Sequence, residues 1–217
     1  MNRYHRNADR IYQINAHLQS GNDETVWENT PAPVTPFIRE NLSEVEEVAR
    51  LGHSGVKMAV GYLNKNFVED RIGYTENEFF RVFDFPVVAG DSRQPLAPGL
   101  SVVLTEKTAK KYFGGDDPIG KVLRFRDTSF TVSAVIRDFP VNSSIQFDLL
   151  FTLDLIRLKF RGNGQWKTID TDWGNYNYWT FCLLKPGAST GHVSAALLGA
   201  LKKANPEASM KDFPLRP

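Results

Sequence analysis

An α+β fold is what this sequence predicts, on three observations. Short runs of β-branched and aromatic residues such as SVVLT and YWTFCLL have strand character, and several longer segments carry helical spacing with recognisable ends. The strands come first in succession and are then separated by helices, an order that suits α+β rather than a regular βαβ repeat. With 217 residues, 41% hydrophobic and 12% aromatic, the chain can bury a sizeable core, in one large domain or two small ones.

Residues 11–18 alternate in part through Ile11, Tyr12 and Ile14 and predict a first strand, followed by a loop rich in Gly, Asn and Asp. Thr30-Pro31 and Thr35-Pro36 each offer a cap followed by proline at the first helical position, predicting a short helix through Phe37, Ile38 and Leu42. Strands are expected over 45–51 and 67–74, with Gly52, Gly55 and Gly61 breaking the stretch between them into turns. The clearest local unit is SVVLT followed by EKTAKKYFGG. Thr105 caps a helix that has Glu106 in its first turn, buries Ala109, Tyr112 and Phe113, and stops at Gly114. Residues 121–125 and 130–136 read as a hairpin joined at Asp127-Thr128-Ser129, 147–151 as a strand and 153–160 as a helical segment. After an irregular stretch over 161–177 come a strong strand at 178–184 and an amphipathic helix at 189–203. Val193, Leu197 and Leu201 share one face of that helix, and Asn205-Pro206 is its stop.

Acidic and basic residues nearly cancel at a formal charge of +1 and neither sign forms a block, which disfavours nucleic acid and anionic lipid as partners. Cys182 has no second cysteine to pair with, and its apolar setting in TFCLLK predicts a buried, inert thiol. No run approaches the ~18 apolar residues of a membrane span, and residues 1–10 are too polar for a signal peptide. Composition alone therefore predicts a cytosolic, soluble chain.

Residues 115–121, GDDPIGK, satisfy the G-x-x-x-x-G-K spacing of a phosphate-binding loop but not its chemistry. Val122 stands where a hydroxyl must meet magnesium, Asp116 and Asp117 put negative charge in the cradle, and Pro118 removes an N–H donor. A turn leading from a helix to a strand is expected, with Gly120 at its tight point, and no ATP binding. His5, His17, His53 and His192 lack metal-ligand spacing, so neither a metal nor a cofactor is predicted. Asp138 with Asp148, or Asp170 with Asp172, could form an acid and base pair, yet Asp138 also suits the turn at Asp138-Phe139-Pro140. The aromatic segment holding Trp166, Trp173, Tyr176, Tyr178 and Trp179 combines apolar area with polar handles. It reads either as core, given the alternation in YNYWTF, or as a contact surface for a partner or substrate, with Trp166, Trp173 and Tyr176 as the candidates.

Three successive phrases, GYTENEFFRVFDFPVVAGD, SVVLTEKTAKKYFGGDDPIGK and FTVSAVIRDFPVNSSIQFDLL, resemble the extracytoplasmic core domain of MacB-like and FtsX-like ABC transporter permeases. The resemblance covers nearly the whole chain and is strongest over 74–150. It implies a porter-like mixed α/β domain built from residues 1–82 and 141–217, with a smaller α/β module, residues 83–140, inserted. It also implies a bacterial inner-membrane setting, with this segment on the periplasmic side between membrane helices that lie outside it. The implied partners are a cytoplasmic ABC ATPase, a second permease copy, and a periplasmic adaptor or substrate. On this resemblance the segment is the non-catalytic receiving end of conformational work done by the ATPase. The alternatives are a ligand-binding module taking a peptide, lipid or glycan through the aromatic segment, and an enzyme with a carboxylate site.

Overall fold

The computed structural model describes residues 5–162 and 165–217. In chain order the first strands are β1 (Ile11–Ile14), β2 (Ala16–Ser20), β3 (Asp23–Trp27) and β4 (Asn29–Thr30), followed by helix α1 (Val34–Asn41). Next come β5 (Val45–His53), β6 (Met58–Tyr62), β7 (Lys65–Glu69), β8 (Ile72–Thr75), α2 (Phe79–Val82), β9 (Val87–Gly90), β10 (Ser101–Thr105) and α3 (Glu106–Phe113). The remainder is β11 (Val122–Phe125), β12 (Thr128–Ile136), β13 (Leu149–Thr152), α4 (Asp154–Lys159), β14 (Tyr178–Leu184), α5 (Thr190–Ala204), β15 (Met210–Asp212) and β16 (Leu215–Arg216). The class is α+β, as the sequence predicts.

The chain divides into two compact units, a central one over Gly52–Leu158 with His5, and a terminal one formed by Arg6–Leu51 and Lys159–Pro217. These limits differ from the expected boundaries at 82/83 and 140/141. Within 83–140, β10 bonds to β13 outside that range and β11 bonds to β6, so the segment shares a sheet with its flanks instead of closing on itself.

In the central unit the strand order is β8-β13-β10-β12-β11-β6-β7, with β9 added to β12. The β8–β13 and β10–β12 pairs are parallel and the rest antiparallel. Helix α3 forms where the sequence places it, because Thr105 Oγ1 accepts from the Thr108 N–H and Gly114 closes the end at φ 65°. It buries Tyr112 and Phe113 against Phe67 and Tyr62, with ring centroids 4.2 and 4.7 Å apart. Phe125, Phe130 and Phe151 fill the interior at centroid separations of 4.6 to 6.4 Å.

In the terminal unit β14 pairs with β1, β4 and β5, and β16 adds to β1. A separate antiparallel sheet runs β15-β2-β3. Helices α1 and α5 cover the core, where Val193, Leu197 and Leu201 recur at helical spacing beside Val34, Ile38 and Phe213. Ser189 Oγ accepts from the His192 N–H and caps α5.

Several expectations shift. The strand expected over 11–18 breaks at Asn15 into β1 and β2, which belong to different sheets, and the loop expected after it contains β3, paired residue by residue with β2. Gly61 lies inside β6 rather than at a turn, where Asn66 and Arg124 crowd the space that a Cβ would need. The α1 N-terminus uses neither threonine, since Pro33 is its cap and no side chain bonds there. The β11–β12 hairpin turns one residue early, at Arg126 with φ 55°. Gly120 takes φ 80° in the turn before β11, and its N–H donates to the Val132 carbonyl.

Candidate functional site

The irregular stretch before β14 is fixed in place by one buried cation. Arg50 on β5 is 1% exposed. One of its guanidinium nitrogens donates to the Ala32 carbonyl at 2.9 Å and the other lies 2.6 Å from Asp170 Oδ1. The guanidinium also sits 6.0 Å from the Tyr178 ring centroid. Asp170 is thus the counter-ion of a core arginine, while Asp172 Oδ1 accepts from the Gly174 N–H and shapes the following turn. Each carboxylate therefore has a structural partner of its own.

The three aromatic candidates part company. Trp173 is 8% exposed and lies in the core edge-on to Phe37 of α1, at 6.3 Å between centroids. Trp166 is half-buried and packs against the same core. These two positions favour the packing alternative. Tyr176 is half-buried as well, its phenol held above the usual tyrosine range by burial, but it also reaches the surface. There its ring meets Trp27 edge-on at 5.7 Å. Trp27 ends β3 at 46% exposure, beside a shallow hollow of about 470 Å³ lined by Trp27, Asp172, Gly174, Asn175, Tyr176 and Asn177. Sequence reasoning did not single out Trp27. Its signal was the D-E-T-V-W run, which has strand character only when read with its partner A-H-L-Q-S.

The other carboxylate pair, Asp138 and Asp148, meets at one hollow of about 420 Å³ in the central unit. Both Asp148 oxygens accept from Arg71, at 2.8 and 2.9 Å, and Asp138 Oδ1 accepts from the Lys107 N–H at the start of α3. Each carboxylate anchors backbone or sheet in this way. The GDDPIGK stretch is a turn in which Asp117 Oδ1 accepts from the Ile119 N–H and Lys121 N–H donates to the Pro118 carbonyl. Of the histidines, His5 bonds to Asp84, His17 lies between Asp212 and Glu24, and His192 bonds to Glu44. Cys182 is wholly buried and its thiol is pushed up to about 12 by desolvation. No helix among the described residues is long and apolar enough to cross a membrane.

The comparisons agree with this architecture. Residues 1–200 match the MacB-like periplasmic core domain family. A domain of a putative permease protein from Porphyromonas gingivalis is similar at 25% identity and a TM-score of 0.78, over 98% of this chain and 91% of that one. The periplasmic region of MacB from Actinobacillus actinomycetemcomitans shares 16% identity at a TM-score of 0.64, over 94% of this chain and 87% of that one. The extracellular domain of the ABC-type transporter YknZ from Gram-positive bacteria shares 11% identity at a TM-score of 0.60, over 94% and 100% of the two chains. No curated protein matches the sequence. The extracytoplasmic location that the resemblance implies is borne out, in place of the cytosolic one that composition alone predicts, since a chain with no membrane-spanning run is also what a water-exposed domain of a membrane protein requires.

Proposed function

Because this chain belongs to the MacB-like periplasmic core domain family of ABC transporter permeases, we propose that it receives conformational work from a cytoplasmic ATPase and passes it to a partner or substrate outside the membrane. The family match over residues 1–200 carries the reading. Two compact units support it, since closely packed bodies transmit displacement where a loose chain absorbs it. The domain itself does no covalent chemistry on this reading, and a second permease copy supplies the opposing surface.

The test is ATP turnover by the full-length permease with its ATPase in liposomes, with and without an antibody fragment raised against this folded domain. A fragment that clamps the domain slows turnover when motion and hydrolysis are coupled. Unchanged turnover at saturating fragment counts against the proposal. The second reading, a ligand-binding module working through the aromatic segment, is favoured by the exposed Trp27 beside Tyr176.

A further inference from the structure

Strand β3 has an open side. It is the last strand of the β15-β2-β3 sheet among the described residues, and all five of its residues are exposed. The direction of its backbone groups follows from one bond: the Gln19 N–H donates to the Ser209 carbonyl, so alternate residues of β2 face away from β3. Ala16, Leu18 and Ser20 therefore face β3, and their partners Trp27, Thr25 and Asp23 use their backbone groups in that ladder. Glu24 and Val26 are left to present N–H and C=O to the open side. An open edge of this kind is a template for one more strand.

Two further features define what fits. At one end of the edge, Trp27 and Tyr176 offer aromatic surface beside the hollow of about 470 Å³. Along the edge the charge is acidic. Asp23, Glu24 and Glu28 lie on or next to it and are all exposed, and of the basic groups beside them Lys211 and His17 meet Glu24, with His17 also bonded to Asp212. An incoming strand rich in acids is repelled and one carrying Lys or Arg is attracted.

We propose that the β3 edge is a docking site for an extended, basic segment of an extracytoplasmic partner polypeptide, which adds to the sheet as a fourth strand and seats an apolar side chain on Trp27 and Tyr176. Backbone bonds to Glu24 and Val26 would supply the register, and the aromatic pair the anchor. The proposal rests on the reading of this domain as the part of a permease that meets an outer partner. Its test needs no ATP, so binding in solution and coupling to hydrolysis fail separately.

The experiment is fluorescence anisotropy of a labelled ten-residue peptide of alternating Lys and Val, titrated with this chain, against an alternating Glu and Val peptide as control. The expected result is saturable binding of the lysine peptide alone, weakened at least tenfold by Val26→Pro. Because the Val26 N–H lies outside the ladder to β2, that change removes an edge donor without breaking an internal bond. Asp23→Lys with Glu28→Lys is expected to weaken binding tenfold as well, with circular dichroism melts unchanged, and serves if Val26→Pro unfolds. Equal binding of both peptides, or lysine-peptide binding indifferent to both variants, overturns the proposal. So does a concentration-dependent dimer of this chain abolished by Val26→Pro, which would make the occupant a second copy. Binding of cellohexaose in place of the peptide, lost in Trp27→Ala, would make the hollow a glycan site and overturn it too.

Discussion

Replacing Trp173 with alanine separates packing from contact more sharply than any other single change. The side chain is almost wholly buried at 8% exposure, edge-on to Phe37 and among Val34, Ile38, Leu197 and Leu201. An indole removes on the order of 200 Å² from water. At ~25 cal/mol per Å² this gives an upper bound of about 5 kcal/mol. Large-to-small replacements of buried aromatics cost about 3–5 kcal/mol, and that is the predicted loss for Trp173→Ala. For a chain of this size it corresponds to a melting temperature lower by roughly 10 °C. Trp27→Ala, which loses an exposed ring and one edge contact with Tyr176, is predicted to cost about 1 kcal/mol. Urea unfolding followed by far-ultraviolet circular dichroism avoids using tryptophan as its own probe. If Trp173→Ala unfolds within 1 kcal/mol of the parent, the indole does not pack as described and the contact alternative gains the ground.

Three other outcomes follow from named contacts. Gly90→Ala is predicted to lose more than Gly120→Ala in the same assay: a Cβ on Gly90 would sit 2.3 Å from the Ser133 carbonyl oxygen, whereas nothing lies within 4 Å at Gly120 and only its positive φ, worth about 1–2 kcal/mol, opposes the change. Equal losses would contradict the described approach of β9 to β12. Burial between Phe83 and Phe85 lowers the His5 pKa against the opposing bond from Asp84. The unfolded chain then takes up the proton first, so this contribution is full above about pH 6.5 and is lost as the pH falls below it. Melting temperature is accordingly expected to drop more steeply from pH 7 to pH 5 in the parent than in His5→Asn, and parallel slopes would refute it. Arg50→Met with Asp170→Asn is expected to be more stable than Asp170→Ala alone, because the single change strands a buried guanidinium. The reverse order in urea would contradict a structural role for Asp170.

Elements whose signals are local were legible in the sequence. Helix α3 has its cap, first-turn acid and terminal glycine within ten residues, and β14 and α5 carry their own periodicity and stops. What depends on distant partners was not legible. Strands β9 and β15 exist because β12 and β2 pair with them, and β15 is only three residues long. The unit boundaries fall at 51/52 and 158/159 because strand pairing across long separations decides them, and no composition shift marks either place. At the aromatic segment the residue types were visible, but which ring turns inward depends on α1, through Phe37, and on β3, through Trp27. Asp138 and Asp148 looked like possible catalysts because a sequence shows carboxylates without showing the Lys107 amide and the Arg71 guanidinium that engage them.

The proposed function requires that the domain move when ATP is bound and hydrolysed. Its most direct test is electron–electron distance measurement on the full-length permease with its ATPase, spin-labelled at Val141→Cys, a fully exposed position. The buried thiol of Cys182 does not compete for the label. The distance between labels on the two permease copies is expected to shift between nucleotide-free and ATP-bound states and to return after hydrolysis. Identical distance distributions in all three states would contradict it.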